Sequence, residues 1–205
     1  MTALLYQTDS YLQSFDAKVT AADVEAHAVV LDRTAFYPGG GGQPCDLGAL
    51  TIVSVDYPVV KVQKRGADAL HFLSSESPLP QVGAAAYGQI DWERHYQLMR
   101  THTALHILCG VVFRDYGALV TGGDDVCTAI LPRAQAFEIP DLIRTKINLL
   151  PQGITEVRTV EIVGLDLQAD GGAHVRNTRE VGGVRLVDYK SKGRINKRIY
   201  IEVGN

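Results

Sequence analysis

Apolar positions along the chain follow two regimes. Up to about residue 90 they come in short runs: Ala28-Val29-Val30-Leu31 is unbroken and mostly β-branched or aliphatic. Ala49 to Val55 and Val59 to Val62 are apolar or alternating, with Asp56-Tyr57-Pro58 between them. Runs of this length bounded by turn-forming residues predict short strands in a small β-structure with tight turns. The clearest turn signal is Tyr37-Pro38-Gly39-Gly40-Gly41-Gly42-Gln43-Pro44, whose four glycines open backbone angles closed to other residues. Ser74 to Gly83, which holds Pro78 and Pro80, reads as a connector.

From about Asp91 the period changes. Leu98, Met99, His102, Leu105, His106, Cys109, Val112 and Phe113 recur at intervals of three and four, the stripe of an amphipathic helix running to about Tyr116. A second, shorter helix is expected from Asp141, suited to an N-cap, to Leu150, with Pro151 to Gly153 as its stop. Glu156 to Val163, Val184 to Tyr189 and Lys197 to Val203 predict strands. The last two are joined as a hairpin by Lys190-Ser191-Lys192-Gly193-Arg194. The pattern predicts a mostly β first part and an α+β second part.

Composition narrows the class. The chain has 205 residues, 46% hydrophobic and 21% charged, enough for a sizeable core. No apolar run reaches the roughly 18 to 20 residues that span a bilayer, so no membrane association is expected. Met1 to Asp9 lacks a basic segment followed by an apolar one, and Cys45, Cys109 and Cys127 form no CxxC pair. Both features point to a reducing, cytoplasmic setting. The net charge of −3 conceals an uneven distribution: His174 to Arg198 carries +6 and the rest −9. A basic stretch on an acidic body suits either a face for a polyanion or a solvated hairpin.

The strongest chemical feature is His102-Thr103-Ala104-Leu105-His106. Histidines four apart on a helix project from one face, and their imidazoles can reach a common metal such as zinc. They can also be core histidines, since both lie on the apolar stripe. Thr103 stands where an HExxH protease has its glutamate, which disfavours that chemistry. Cys109 lies about 10 Å further along the helix axis, too far to share the ligation, and reads as core. Asp170-Gly171-Gly172-Ala173-His174 offers a second pair. Its glycines allow the loop to fold back so that both side chains converge, although a Gly-Gly turn with a surface histidine is the simpler meaning of the segment alone. Asp170, His102, His106 and His174 together form an acceptable zinc set.

These motifs, in this order, resemble the AlaX proteins, relatives of the editing domain of alanyl-tRNA synthetase. That family carries HxxxH followed by CxxxH within Cys-Gly-Gly-Thr-His-Val. Here the matches are His102 to His106 and Asp170-Gly171-Gly172-Ala173-His174-Val175, continued by Arg176-Asn177-Thr178-Arg179-Glu180-Val181-Gly182. Upstream, Leu31 to Pro38 and Gly40-Gly41-Gly42-Gln43-Pro44 resemble the glycine-rich segment of the longer members with an N-terminal β-domain. Ser191-Lys192-Gly193-Arg194 with Arg198 resembles the closing hairpin. The resemblance covers nearly the whole chain.

It implies an α+β protein with a small β-barrel-like domain over residues 1–90. An editing domain over 91–205 would pack a long helix on an antiparallel sheet. It implies a trans-editing hydrolase that deacylates mischarged alanine tRNA, chiefly the seryl form and also the glycyl form, with zinc as the cofactor. By the same carry-over His102, His106 and His174 are ligands, with Asp170 at the usual cysteine position. Thr34 and Gln43 line the catalytic site, Thr34 as partner for a seryl hydroxyl. Gly40, Gly41 and Gly42 approach the substrate terminus, and Lys192, Arg194 and Arg198 meet tRNA phosphates. Two departures stand out: Asp170 replaces a soft thiolate with a harder oxygen donor, and Ala173 replaces a threonine. Two other expectations remain open: a tRNA-binding module with a degenerate metal site, and a zinc hydrolase of small esters.

Overall fold

The computed structural model describes residues 1–74, 78–115, 126–143, 150, 153–191 and 197–204. In chain order it contains β1 (Ala3–Leu4), β2 (Ser14–Asp23), β3 (Ala28–Leu31), β4 (Arg33–Thr34), β5 (Gly48–Ile52), β6 (Val55–Arg65), β7 (Asp68–Leu73) and β8 (Ala85–Ile90). The long helix α1 (Trp92–Asp115) follows, then β9 (Val126–Pro132), the one-turn helix α2 (Arg133–Ala136), β10 (Glu156–Ile162), β11 (Asp166–Ala169), β12 (Val184–Ser191) and β13 (Lys197–Val203). The described residues are thus mostly sheet, with one long helix. The chain divides into two compact units, Met1–Met99 with Gly171–Ala173, and Arg100–Asp170 with His174–Asn205.

In the first unit six antiparallel strands close a barrel in the order β2-β3-β7-β6-β5-β8. Its interior is filled by alternating side chains, as in β8, where Ala86, Gly88 and Ile90 point inward. Gly88 is required there: a Cβ would stand 2.5 Å from the ring of Phe15, which fills the barrel against Phe36 at a ring separation of 5.8 Å. The anticipated break at Asp56-Tyr57-Pro58 is not one. Strand β6 runs through it, and the chain reverses instead at Val53-Ser54, both with positive φ, 50° and 63°. Tyr57 is buried and its hydroxyl donates to the Pro78 carbonyl at 3.1 Å, so tertiary burial overrides the local turn signal.

In the second unit β11-β10-β9 form an antiparallel sheet, and β12 pairs with β13 in a separate antiparallel ribbon. A register shift between Leu186 and Asp188 breaks the alternation of β12. The expected hairpin strands are present; their connection, 192–196, lies outside the described residues. So does most of the expected helix from Asp141 to Leu150: residues 144–149 are not described, while Asp141 has φ 57° within a turn. No helix among the described residues is long and apolar enough to cross a membrane.

Candidate metal centre

Helix α1 starts where the change of period places it. Asp91 caps it, accepting the N–H of Arg94 on Oδ1 at 3.2 Å. One helical turn separates His102 and His106, whose ring centroids are 5.0 Å apart. The loop after β11 brings the other pair. The Asp170 N–H donates to the Arg158 carbonyl on β10, and Arg158 Nη1 donates back to the Asp170 carbonyl, both at 3.1 Å. This double link anchors the loop just before it turns through Gly171-Gly172 and returns His174, whose ring stacks at 4.4 Å from His102 and stands 4.8 Å from His106.

The four side chains converge. Asp170 Oδ1 lies 3.5 Å from His102 Nε2 and 3.8 Å from His106 Nε2, and Oδ2 lies 3.1 Å from His174 Nε2. One ligand atom from each residue falls within 4.8 Å of all the others. Burial opposes the Asp170 charge, but the hydrogen bonds from His106 and His174 outweigh it, so the carboxyl is held well below its usual range. Burial pushes His174 down to about 3, against the pull of Asp170. An ionised carboxylate and a neutral imidazole are the forms that bind a metal, and three nitrogen donors with one oxygen donor suit zinc. The residues present therefore fit a zinc ion.

Three outer residues escaped the sequence reading. Thr103 Oγ1 is 3.1 Å from His174 Nδ1 and accepts the Val175 N–H at 3.3 Å. Arg158 Nη1 stands 3.8 Å from Asp170 Oδ2, and Asp166 Oδ2 stands 3.9 Å from His106 Nδ1. Only Thr103 had a local signal, its place inside the HxxxH segment. Cys109 corrects an expectation, because its side chain is exposed rather than core. At that level Gly110 faces inward: a Cβ there would meet Leu165 at 2.8 Å and Asp166 at 3.1 Å.

The other candidates belong to the first unit or the hairpin. Thr34 is fully buried; its hydroxyl lies 2.9 Å from His71 Nε2 and accepts the Phe36 N–H at 3.1 Å. Gly40 and Gln43 close a tight turn by reciprocal backbone bonds of 3.1 and 2.9 Å, with Gly41 and Gly42 exposed at its tip at φ 58° and 93°. Gln43 is 7% exposed, and neither its amide nitrogen nor its oxygen has a hydrogen-bond partner among the described residues. Arg198 is exposed on β13 opposite Lys190, whereas Lys192 and Arg194 lie outside the described residues.

Known proteins match this chain in sequence. The family model for class II (A) tRNA synthetases covers residues 7–94, and that for the threonyl and alanyl tRNA synthetase second additional domain covers 157–200. The alanyl-tRNA editing protein AlaX-M of Saccharolobus solfataricus is 37% identical over 99% of this chain and 99% of its own length. That of Methanosarcina mazei is 33% identical over 99% and 97%. An alanine–tRNA ligase of Pyrobaculum neutrophilum is 31% identical over 90% of this chain, which spans 25% of the ligase. A barrel that matches one synthetase family and a segment with Asp170 and His174 that matches another define a synthetase-related protein. More narrowly, the chain belongs to the AlaX-M family of alanyl-tRNA editing proteins.

Proposed function

We propose that the protein is an aminoacyl-tRNA deacylase that works in trans in the cytoplasm. It removes serine chiefly, and glycine as a second substrate, from wrongly charged alanine tRNA at a zinc site. The observation that carries this reading is the convergence of His102, His106, Asp170 and His174, within 4.8 Å of one another, in a chain of the editing family. Zinc held there supplies Lewis-acid polarisation of an ester carbonyl or of the attacking water. The Asp170 carboxylate offsets part of the metal's charge and holds the His174 ring in the cluster.

To Thr34, whose buried hydroxyl is shared with His71 in the substrate-free protein, we assign the selectivity for serine. A site that hydrogen-bonds a substrate hydroxyl rejects the analogue lacking it, which spares alanine. Gln43 contributes a buried amide with both donor and acceptor capacity unspent, and a buried polar group of this kind calls for a partner. Gly40, Gly41 and Gly42 let the backbone approach the acylated tRNA terminus. Lys192, Arg194 and Arg198 meet its phosphates. Removing metal with a chelator and restoring zinc tests the reading: deacylation of seryl-tRNA for alanine should vanish and return. Activity that survives complete stripping rejects the zinc site.

A further inference from the structure

We propose that Thr103 is a positioning residue for the His174 ligand, its hydroxyl fixing the ring and setting which nitrogen faces the metal. This rests on the zinc reading above. Thr103 is fully buried on α1 beside His102. Its Oγ1 touches two consecutive residues of the returning loop, the His174 ring at 3.1 Å and the Val175 N–H at 3.3 Å. On the far side of the same ring, His174 Nε2 stands 3.1 Å from Asp170 Oδ2 inside the ligand cluster. The imidazole is therefore gripped at both nitrogens, at Nε2 by a carboxylate oxygen and at Nδ1 by a hydroxyl.

The hydroxyl suits both states of the ring. A neutral imidazole has one N–H, and an ionised carboxylate only accepts. In the metal-free protein the hydrogen sits on Nε2 and donates to Asp170, which leaves Nδ1 bare to accept the Thr103 O–H. When Nε2 is given to a metal, the ring's single hydrogen sits on Nδ1 and donates to Thr103 Oγ1. One proton leaves Nε2 to solvent and one arrives at Nδ1 from solvent, so the ring stays neutral. A hydroxyl serves both arrangements by rotating. A carboxylate at this place could only accept, and an aliphatic side chain could do neither.

Zinc affinity, measured by competition with a chromophoric chelator, tests this on the full chain. Loss of an outer hydrogen bond to a metal-bound histidine typically weakens binding about 10- to 100-fold. Thr103→Val is expected to show that loss and Thr103→Ser to restore near wild-type affinity. A Thr103→Val protein that binds zinc as tightly as wild type overturns the inference and leaves the zinc site standing. A wild type that binds no zinc rejects the site itself and the inference with it. Should Thr103→Val fail to fold, the ¹⁵N shifts of His174 in wild type decide. The expected result is hydrogen on Nε2 without zinc and on Nδ1 with it; hydrogen on the same nitrogen in both overturns the inference.

Discussion

His174 Nε2 lies 3.1 Å from Oδ2 of Asp170, four residues earlier in the chain. In a regular strand, residues so spaced stand about 13 Å apart. The Gly171-Gly172 step folds that distance away, and the cross-links from Arg158 hold the folded loop at its start.

The identity of the fourth ligand makes a direct prediction. Asp170→Cys replaces a hard oxygen with a soft thiolate and should tighten zinc binding, whereas Asp170→Asn removes the charge and should weaken it by more than about tenfold. Chelator competition on both variants reads the two directions. Equal affinity in all three proteins would mean that residue 170 does not ligate.

Acid should loosen the barrel through His71. The ring is completely buried, with Nδ1 3.3 Å from the Val29 carbonyl and Nε2 2.9 Å from Thr34. Burial pushes it down to about 4 from 6.5, more than the carbonyl restores. Between those values the unfolded chain holds a proton that the native ring refuses. His71 therefore costs no stability above pH 6.5, and its cost grows as pH falls towards 4, to roughly 3 kcal/mol. Urea unfolding across this range should show a slope that His71→Gln flattens.

Gln43 should trade stability for activity. Its buried amide lacks hydrogen-bond partners among the described residues, and such a group costs about 1 to 3 kcal/mol. Gln43→Met is expected to raise the melting temperature and to lower deacylation. A variant that is destabilised, with activity intact, would remove Gln43 from the site.

On the hairpin, replacing Lys192 and Arg194 together by Ala should weaken tRNA binding and flatten its dependence on salt. The log-log slope should fall by about 0.7 to 0.9 for each phosphate that the variant no longer neutralises. Binding measured between low and physiological salt gives that slope. An unchanged slope would move the tRNA face elsewhere.

Much of this was legible in the chain, for local reasons. The strand at Ala28–Leu31, the start of α1 and the β12–β13 pair follow from period and turn chemistry, and His102 and His106 follow from helical spacing. Asp170 and His174 emerged as candidates because two glycines separate them. What stayed hidden depends on distant packing. Nothing local in Val53-Ser54 signals left-handed backbone, and strand β6 passes through Pro58 because the barrel buries Tyr57. Arg158 reaches Asp170 only through the loop returning to β10. Cys109 follows the helical stripe in sequence, yet the close approach at Gly110 decides which side of α1 is buried there.

The most direct measurement is deacylation of seryl-tRNA for alanine by the zinc-loaded protein, with correctly charged alanyl-tRNA and the His102→Ala variant alongside. The expected result is rapid loss of serine, alanine spared, and activity abolished without His102. No hydrolysis at high enzyme concentration despite bound zinc, or equal hydrolysis by the variant, would contradict an editing centre built on these four residues.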